Sequence, residues 1–180
     1  MKIVIMGCGR VGARLARIFD REGHDVSVVD LNASSFARLG EDFRGQTVAG
    51  TGIDEDVLKS LGIEHADIFL AVTNRDNSNF MAAQIARISF RVPRVIARIY
   101  EPDREETFHQ LGLDTICPTT LISNRIYEAV SSNAEAHIPP VQLQPAATIL
   151  PTPLPEAHED EGAERAGGHL AHSLRQRFFR

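Results

Sequence analysis

Between residues 1 and 137, short apolar segments alternate with longer amphipathic segments. Short runs rich in β-branched residues predict strands, and apolar residues spaced three or four apart predict helices. The predicted strands are 2–6, 25–30, 46–49, 67–72, 94–99 and 115–117. The predicted helices are 11–22, a segment from Asn32 or Ser34 through Leu39, 54–61 capped by Asp54, a segment from Asn77 or Ser78 through Ile88, 105–111, and 121–130. Met6 and Met81 are expected in the core.

Strands that alternate with helices of this length predict a parallel sheet covered on both faces, because each crossover places a helix against the sheet. The expected class is α/β, with a Rossmann-like doubly wound parallel sheet. The length of 180 residues fits a single domain with a C-terminal tail.

The composition changes near residue 138. Six of the nine prolines lie between Pro139 and Pro155, and an acidic run follows at 159–161. Proline removes backbone donors and favours extended structure. We therefore expect a domain at 1–137 and a proline-rich, disordered tail at 138–180, in which Leu170, Leu174 and Phe178 mark either a short docking helix or a frayed end.

A G-x-G-x-x-G motif, Gly7 to Gly12, lies between the first strand and the first helix. In such a motif Gly7 permits the tight turn, Gly9 lets the backbone approach a pyrophosphate, and Gly12 allows close packing of the helix. Asp30 ends the second strand, where an acid accepts the ribose hydroxyls of an adenine nucleotide and repels a 2′-phosphate. The alternative is a turn that needs glycines for geometry alone.

The net charge, the cysteine content and the lengths of the apolar runs exclude several classes of function. The formal net charge of −5 argues against nucleic acid as a partner. The two cysteines are too far apart in the sequence to form a CxxC metal-binding pair, and the histidines, His137 among them, lack the spacing of metal ligands. We therefore expect no metal site. No apolar run approaches the length of a membrane span, so a cytoplasmic protein is expected.

Five segments together resemble the nucleotide-binding N-terminal domain of bacterial TrkA-type potassium uptake regulators, the RCK or KTN domain. They are GCGRVG at 7–12, AGTGIDEDVLKSLGIEHADIFLAVT at 49–73, NRDNSNFMAAQIA at 74–86, VPRVIARIYEPDR at 92–104 and LGLDTICPTTL at 111–121. The resemblance covers about two-thirds of the chain. The second, C-terminal ligand-binding domain of many such proteins is expected to be replaced here by 43 residues of mostly tail.

The resemblance implies a set of residues that bind NAD(H) or an adenine nucleotide such as ATP or ADP. Phosphates are assigned to Gly7, Cys8, Gly9, Arg10 and Val11, and the adenosine ribose to Asp30. Thr73 and Asn74 are placed beside the adenine or ribose, and Arg98 faces the nucleotide. Thr51 stands where many members of the family carry an acid, so only a weaker hydroxyl contact is expected there.

Two of these arginines have an alternative interpretation. Arg10 reaches terminal phosphates or the ligand of a neighbouring subunit, or it is a solvated residue of the first helical turn. Arg98 contacts the ligand, or it forms a structural ion pair with Glu101 or Asp103.

Two classes of function compete. The resemblance implies a regulatory module, a homodimer or larger assembly, whose nucleotide state controls a membrane potassium transporter or channel, with the last predicted helix crossing to a partner subunit. The alternative is an NAD-dependent oxidoreductase acting on a small substrate. Such enzymes usually build their substrate pocket from a second domain, and after the sixth strand we expect one helix and a tail. The regulatory module is therefore favoured.

Overall fold

A computed structural model describes residues 1–131 of the chain. The strands are β1 (Lys2–Met6), β2 (Asp25–Asp30), β3 (Gln46–Ala49), β4 (Ile68–Ala71), β5 (Arg94–Arg98) and β6 (Asp114–Ile116). The α-helices are α1 (Arg10–Arg21), α2 (Glu55–Ser60), α3 (Asp76–Gln84), α4 (Pro102–Gln110) and α5 (Pro118–Ser131). The predicted boundary at 137, the tail at 138–180, its candidate docking helix and His137 lie outside the described residues, so these remain predictions.

All six strands are parallel and hydrogen-bonded in the order β3-β2-β1-β4-β5-β6. The chain therefore winds outward from β1 to β3, returns to β4 beside β1, and winds outward again to β6. This is the order of a doubly wound Rossmann-like sheet, and the predicted fold class is confirmed. The two winding directions diverge between β1 and β4.

Both faces of the sheet are buried. Along β1, Ile3 and Ile5 pack with α1, whereas Val4 and Met6 pack with the core on the α2 and α3 side. These four side chains are at most 4% exposed. Burial on both faces explains why the central strands β1 and β4 are nearly continuous apolar runs instead of alternating apolar and polar positions.

Four helices begin earlier than predicted, and α1 is early by a single residue, at Arg10. α3 starts at Asp76, α4 at Pro102 and α5 at Pro118. Proline suits the first position of a helix, where its missing N–H removes no hydrogen bond and its fixed φ is already helical. Pro102 and Pro118 were the start signals, and the predicted starts at 105 and 121 were about one turn too late.

The segment after β2 is a 3-10 helix, Ala33–Leu39, and a second, short 3-10 helix spans Ile63–His65. Asn32 caps the first of these, because its Oδ1 accepts from the Ser34 amide at 3.1 Å. The predicted helix thus exists, with a tighter helical geometry than the α form.

The prediction that Met81 lies in the core was wrong. Met81 is 50% exposed, and Ile88, which was placed on the same apolar stripe, is 69% exposed. The side of α3 that faces the sheet carries Ala82 and Ala83, followed by Ala86 in a π-helical turn at Ile85–Ser89; all three are fully buried. Alanines let the helix approach the sheet closely, Phe80 and Ile85 pack at the edge of the same core, and Met81 and Ile88 face outward. None of the helices within residues 1–131 has the length and apolar character needed to cross a membrane.

Ser27 on β2 is fully buried, and its hydroxyl is the one buried side-chain polar atom in the described part of the chain without a hydrogen-bond partner. Because such a group loses its hydration without compensation, we expect Ser27→Ala to raise the free energy of unfolding by about 1 kcal/mol. Chemical denaturation measures the change. The control is Ser60→Ala, which removes an exposed hydroxyl that donates to the Val57 carbonyl at 2.7 Å. A loss of stability in Ser27→Ala would show that the hydroxyl has a partner.

Candidate functional site

A cavity of about 690 Å³ opens at the carboxyl ends of the strands, where the winding direction of the sheet reverses. Its walls come from the loop after β1, the end of β2 and the segments that follow β3, β4 and β5. Crevices at this position of doubly wound sheets bind ligands, and the volume lies within the range of small-molecule sites.

The loop after β1 turns sharply at Gly7. Its φ of +106° lies in a region that residues with side chains rarely adopt, and its amide donates to the Val29 carbonyl at 2.8 Å. A Cβ on Gly12 would lie 1.8 Å from the Gly7 carbonyl oxygen. Gly12 is therefore required by the packing of α1 against its own loop, and the packing brings the N-terminus of α1 to the cavity.

Gly9 has neither of these constraints. Its φ of −76° is open to any residue, and a Cβ there would meet no atom within 4 Å. Gly9 borders the cavity at the N-terminus of α1, and no side chain caps that helix. The space that a side chain would fill is thus open beside free backbone amides, an arrangement that fits a phosphate group.

Asp30 also lines the cavity. Its Oδ2 accepts from the Cys8 amide at 2.6 Å, and its Oδ1 accepts from the Asn32 amide at 2.8 Å. These two bonds fix the carboxylate between the glycine loop and the segment after β2. Each carboxylate oxygen has two lone pairs, so each retains the capacity to accept one more hydrogen bond, as a ribose diol requires.

Cys8 is turned away from the cavity. Its side chain is fully buried, its Sγ donates to the Ser35 carbonyl at 3.4 Å, and its backbone amide donates to Oδ2 of Asp30. Burial, followed by the negative charge of Asp30, raises the pKa of the Cys8 thiol to about 11. The side chain is therefore a neutral core group at physiological pH, and only its amide contributes to the site, through Asp30.

A buried asparagine, Asn79 on α3, joins the ends of β4 and β5. Its Nδ2 donates to the carbonyls of Thr73 at 3.0 Å and Arg98 at 2.7 Å. Its Oδ1 accepts from the Thr73 amide at 3.0 Å and the Thr73 hydroxyl at 2.6 Å. The side-chain amide is thus fully used, and it fixes the part of the cavity wall that follows β4.

Arg98 binds the same wall. Its Nη2 and Nε donate to the Thr73 carbonyl at 2.6 and 3.2 Å, and its guanidinium lies 4.7 Å from the centroid of the Tyr100 ring. Burial lowers the pKa of this guanidinium, and the charges of Tyr100 and Asp76 oppose the shift. Within residues 1–131 Arg98 forms no ion pair, so the alternative of a salt bridge to a nearby acid, Glu101 or Asp103, was wrong.

The sequence prediction missed Asn79 and Asp76. Asp76 accepts from the amides of Tyr100 at 2.9 Å and Glu101 at 3.1 Å and so ties the start of α3 to the segment after β5. A signal for Asn79 existed, because a polar residue three positions before Ala82 lies on the same buried face of a helix. Asp76 offered no comparable signal, since an acid in a first helical turn is ordinary.

The structure brings most of the predicted residues to one cavity. Gly7, Gly9, Arg10, Val11, Asp30, Thr51, Thr73, Asn74 and Arg98 line it, and Cys8 and Gly12 do not. The charged residues of the lining are Arg10, Arg38, Arg75, Arg98 and Asp30. An excess of arginine over acid in a chain with a net charge of −5 favours an anionic ligand.

Comparison with known proteins decides the family. The sequence model of the TrkA-N domain matches residues 3–119. The chain belongs to the TrkA-N domain family. The Trk system potassium uptake protein TrkA of Streptomyces coelicolor is 51% identical to it over 116 residues, which are 64% of this chain and 52% of that protein. The chain spans about half the length of the curated relatives it matches.

Two solved structures place this TrkA-N domain among known folds. The TrkA-N domain of the inner membrane protein ybaL from Escherichia coli superposes with a TM-score of 0.65 at 18% identity, covering 72% of this chain and 96% of that one. The GsuK channel bound to NAD gives a TM-score of 0.58 at 26% identity, covering 69% of this chain and 22% of that one. The first likeness confirms the fold.

Gly9 and Gly12 form a matched pair for testing the glycine loop. Gly12→Ala places a Cβ against the Gly7 carbonyl, and we expect it to lower the free energy of unfolding by about 2–4 kcal/mol, as other overpacking substitutions do. Gly9→Ala enters open space, so we expect unchanged stability and weaker binding of any phosphate-bearing ligand. Thermal denaturation and ligand titration of both variants measure this. Equal stability loss in the two variants would contradict the assignment.

Asn79 is tested by Asn79→Ala, which removes the acceptor of the Thr73 amide and hydroxyl and the donor to the Arg98 carbonyl. The Thr73 carbonyl keeps its hydrogen bonds from Arg98. Because unpaired buried groups are costly, we expect a loss of about 2–4 kcal/mol in the free energy of unfolding. The control is Asn77→Ala, since Asn77 is exposed on the same helix. Urea denaturation of both variants gives the comparison, and similar small effects would mean that the Asn79 network contributes little.

Proposed function

We propose that this TrkA-N domain binds NAD(H) or an adenine nucleotide such as ATP or ADP, and that binding regulates a membrane potassium transporter or channel. The observation that carries the proposal is the pairing of two features across one cavity. Gly9 leaves open space beside the uncapped N-terminus of α1, and Asp30 presents fixed oxygens with acceptor capacity left. The first suits phosphates and the second suits a ribose diol.

The remaining predicted residues fit roles around these two groups. Arg10 and Val11 begin α1 beside the phosphate position, and Thr73 and Asn74 form the wall that Asn79 fixes. Thr51 lines the cavity as well and offers a hydroxyl where an acid would bind more strongly. Cys8 acts through its amide, which holds Asp30, and Gly12 acts through packing.

The relatives support the choice of ligand and partner. The GsuK structure is described as bound to NAD, and the Streptomyces relative is named as a potassium uptake protein. This chain spans only about half the length of such relatives. We therefore propose, on the basis of this likeness, that the chain regulates a transporter. A protein with this role works on the cytoplasmic side of the plasma membrane and is held there by its partner.

α5 supports assembly into a homodimer or a larger ring. None of its residues is buried, and its large apolar side chains are 58–79% exposed. They are Leu121, Ile122, Ile126, Tyr127 and Val130. An apolar surface of this kind on one helix fits a protein interface, with a second copy of the chain as the proposed occupant.

The same helix borders the cavity, since Pro118 and Ile122 are among its lining residues. A ligand that touches the start of α5 binds more tightly to one orientation of the helix than to others. Differential affinity of this kind shifts the population of assembly shapes, and the shape then acts on the transporter.

No observation favours the oxidoreductase. Among the described residues that line the cavity, Asp30 and Tyr100 are the acid–base side chains that could exchange a proton with a substrate. Asp30 is engaged by two amides, and the Tyr100 ring lies against the Arg98 guanidinium. We therefore propose a binding protein without catalytic activity.

Calorimetric titration with NAD, NADH, ATP and ADP tests the ligand. We expect at least one to bind and to stabilise the protein by about 2.7 kcal/mol at a hundredfold excess over Kd. Asp30→Ala removes the ribose acceptor, so we expect affinity to fall by about tenfold or more. In cells, the variant should uncouple potassium uptake from nucleotide level.

The control is Asp42→Ala, which removes an exposed acid outside the cavity. It should leave affinity unchanged. Flat titrations with all four ligands would overturn the proposal, and unchanged affinity in Asp30→Ala would remove the ribose assignment. Turnover of NADH with a small carbonyl substrate would support the oxidoreductase instead.

A further inference from the structure

The 3-10 helix after β2 and its N-cap place three polar residues along the cavity, here called the polar row: Asn32, Ser35 and Arg38. Ser35 and Arg38 lie within the helix, three positions apart, and with three residues per turn their side chains lie one above the other. Asn32 is the extended N-cap of the helix and lines the same cavity.

The row presents hydrogen-bond donors. The Oδ1 of Asn32 already accepts from the amide and hydroxyl of Ser34, at 3.1 and 2.8 Å, which leaves its Nδ2 to donate. The Ser35 hydroxyl has no hydrogen bond within the described residues. The guanidinium of Arg38 adds up to five N–H donors in a planar fork.

Arg38 lines the same cavity as Asp30. It is exposed, and among residues 1–131 it forms neither a hydrogen bond nor an ion pair. Its charge reaches the buried Cys8 thiol, whose pKa it lowers while the charge of Asp30 raises it. Arg38 and Asp30 therefore act on the same point of the glycine loop from the rim of one cavity.

The charge of Asp30 is partly offset by its surroundings. Both of its oxygens accept from backbone amides, and Arg38 lines the same cavity. An anion at the ribose would therefore meet these donors as well as the carboxylate. Guanidinium groups bind phosphate monoesters through paired hydrogen bonds, and an arginine near the ribose acid is how dinucleotide-binding folds accept a phosphorylated ribose.

We propose that the row of Asn32, Ser35 and Arg38 binds a phosphate monoester on the adenosine ribose, so that the site accepts ribose-phosphorylated nucleotides as well as their unphosphorylated parents. The inference rests on the proposed nucleotide site. Arg38 supplies the charge, Ser35 and Asn32 supply neutral donors, and Asp30 keeps the unphosphorylated hydroxyl. The phosphate is on the 2′ or the 3′ hydroxyl of the ribose, and titration with the two bisphosphates distinguishes these positions.

Calorimetric titration of the full chain with 5′-AMP, adenosine 2′,5′-bisphosphate and adenosine 3′,5′-bisphosphate tests the proposal. We expect at least one bisphosphate to bind no more weakly than 5′-AMP, and the preferred one identifies the position. In Arg38→Gln we expect that bisphosphate to lose about tenfold or more in affinity, since a charged hydrogen-bonded contact is removed, and 5′-AMP to stay within about twofold.

Arg17→Gln is the matched control, because Arg17 is exposed on α1 outside the cavity, and it should change neither affinity. Ser35→Ala provides a second variant on the row and should weaken only the bisphosphate. Equal losses for 5′-AMP and the bisphosphate in Arg38→Gln would overturn the proposal, as would weak binding of both bisphosphates to the unsubstituted chain. If NADH and ATP also fail to bind, the assignment of the nucleotide site itself is wrong. If they bind, only the assignment of the polar row to a ribose phosphate is wrong.

Discussion

The close approach of α1 to the loop after β1 is the constraint on which the site depends. Because Gly12 has no side chain, the start of α1 packs against the Gly7 carbonyl, and its free amides reach the crevice between β1 and β4. The same loop supplies the Cys8 amide that fixes Asp30. One packing contact thus positions both groups on which the proposed binding of phosphate and ribose depends.

The other wall of the crevice depends on hydrogen bonds instead of packing. Asn79 and Arg98 both bind the carbonyl of Thr73, and Asp76 ties α3 to the segment after β5. A buried polar network holds one geometry because every alternative leaves a donor or acceptor unpaired. The two walls therefore have different origins, and α5 borders the same cavity through Pro118 and Ile122.

The polar row of Asn32, Ser35 and Arg38 adds hydrogen-bond donors to the cavity beyond these two walls. The pitch of the 3-10 helix aligns Ser35 with Arg38, and Asn32 caps the helix at its start. The proposed binding of a phosphorylated ribose depends on this local backbone geometry as well as on Asp30.

Sequence alone determined the order of strands and helices, the doubly wound parallel sheet and the positions of Gly7, Gly12 and Asp30 around one crevice, because these follow from local periodicity and from a motif whose geometry is contained in one β-loop-α unit. Tertiary structure decided the rest. Which face of α3 is buried, where Arg98 donates, how Asn79 joins two strands and where Cys8 points all depend on residues distant along the chain. Periodicity cannot rank such contacts, because several faces and partners are locally equivalent until the sheet brings them together.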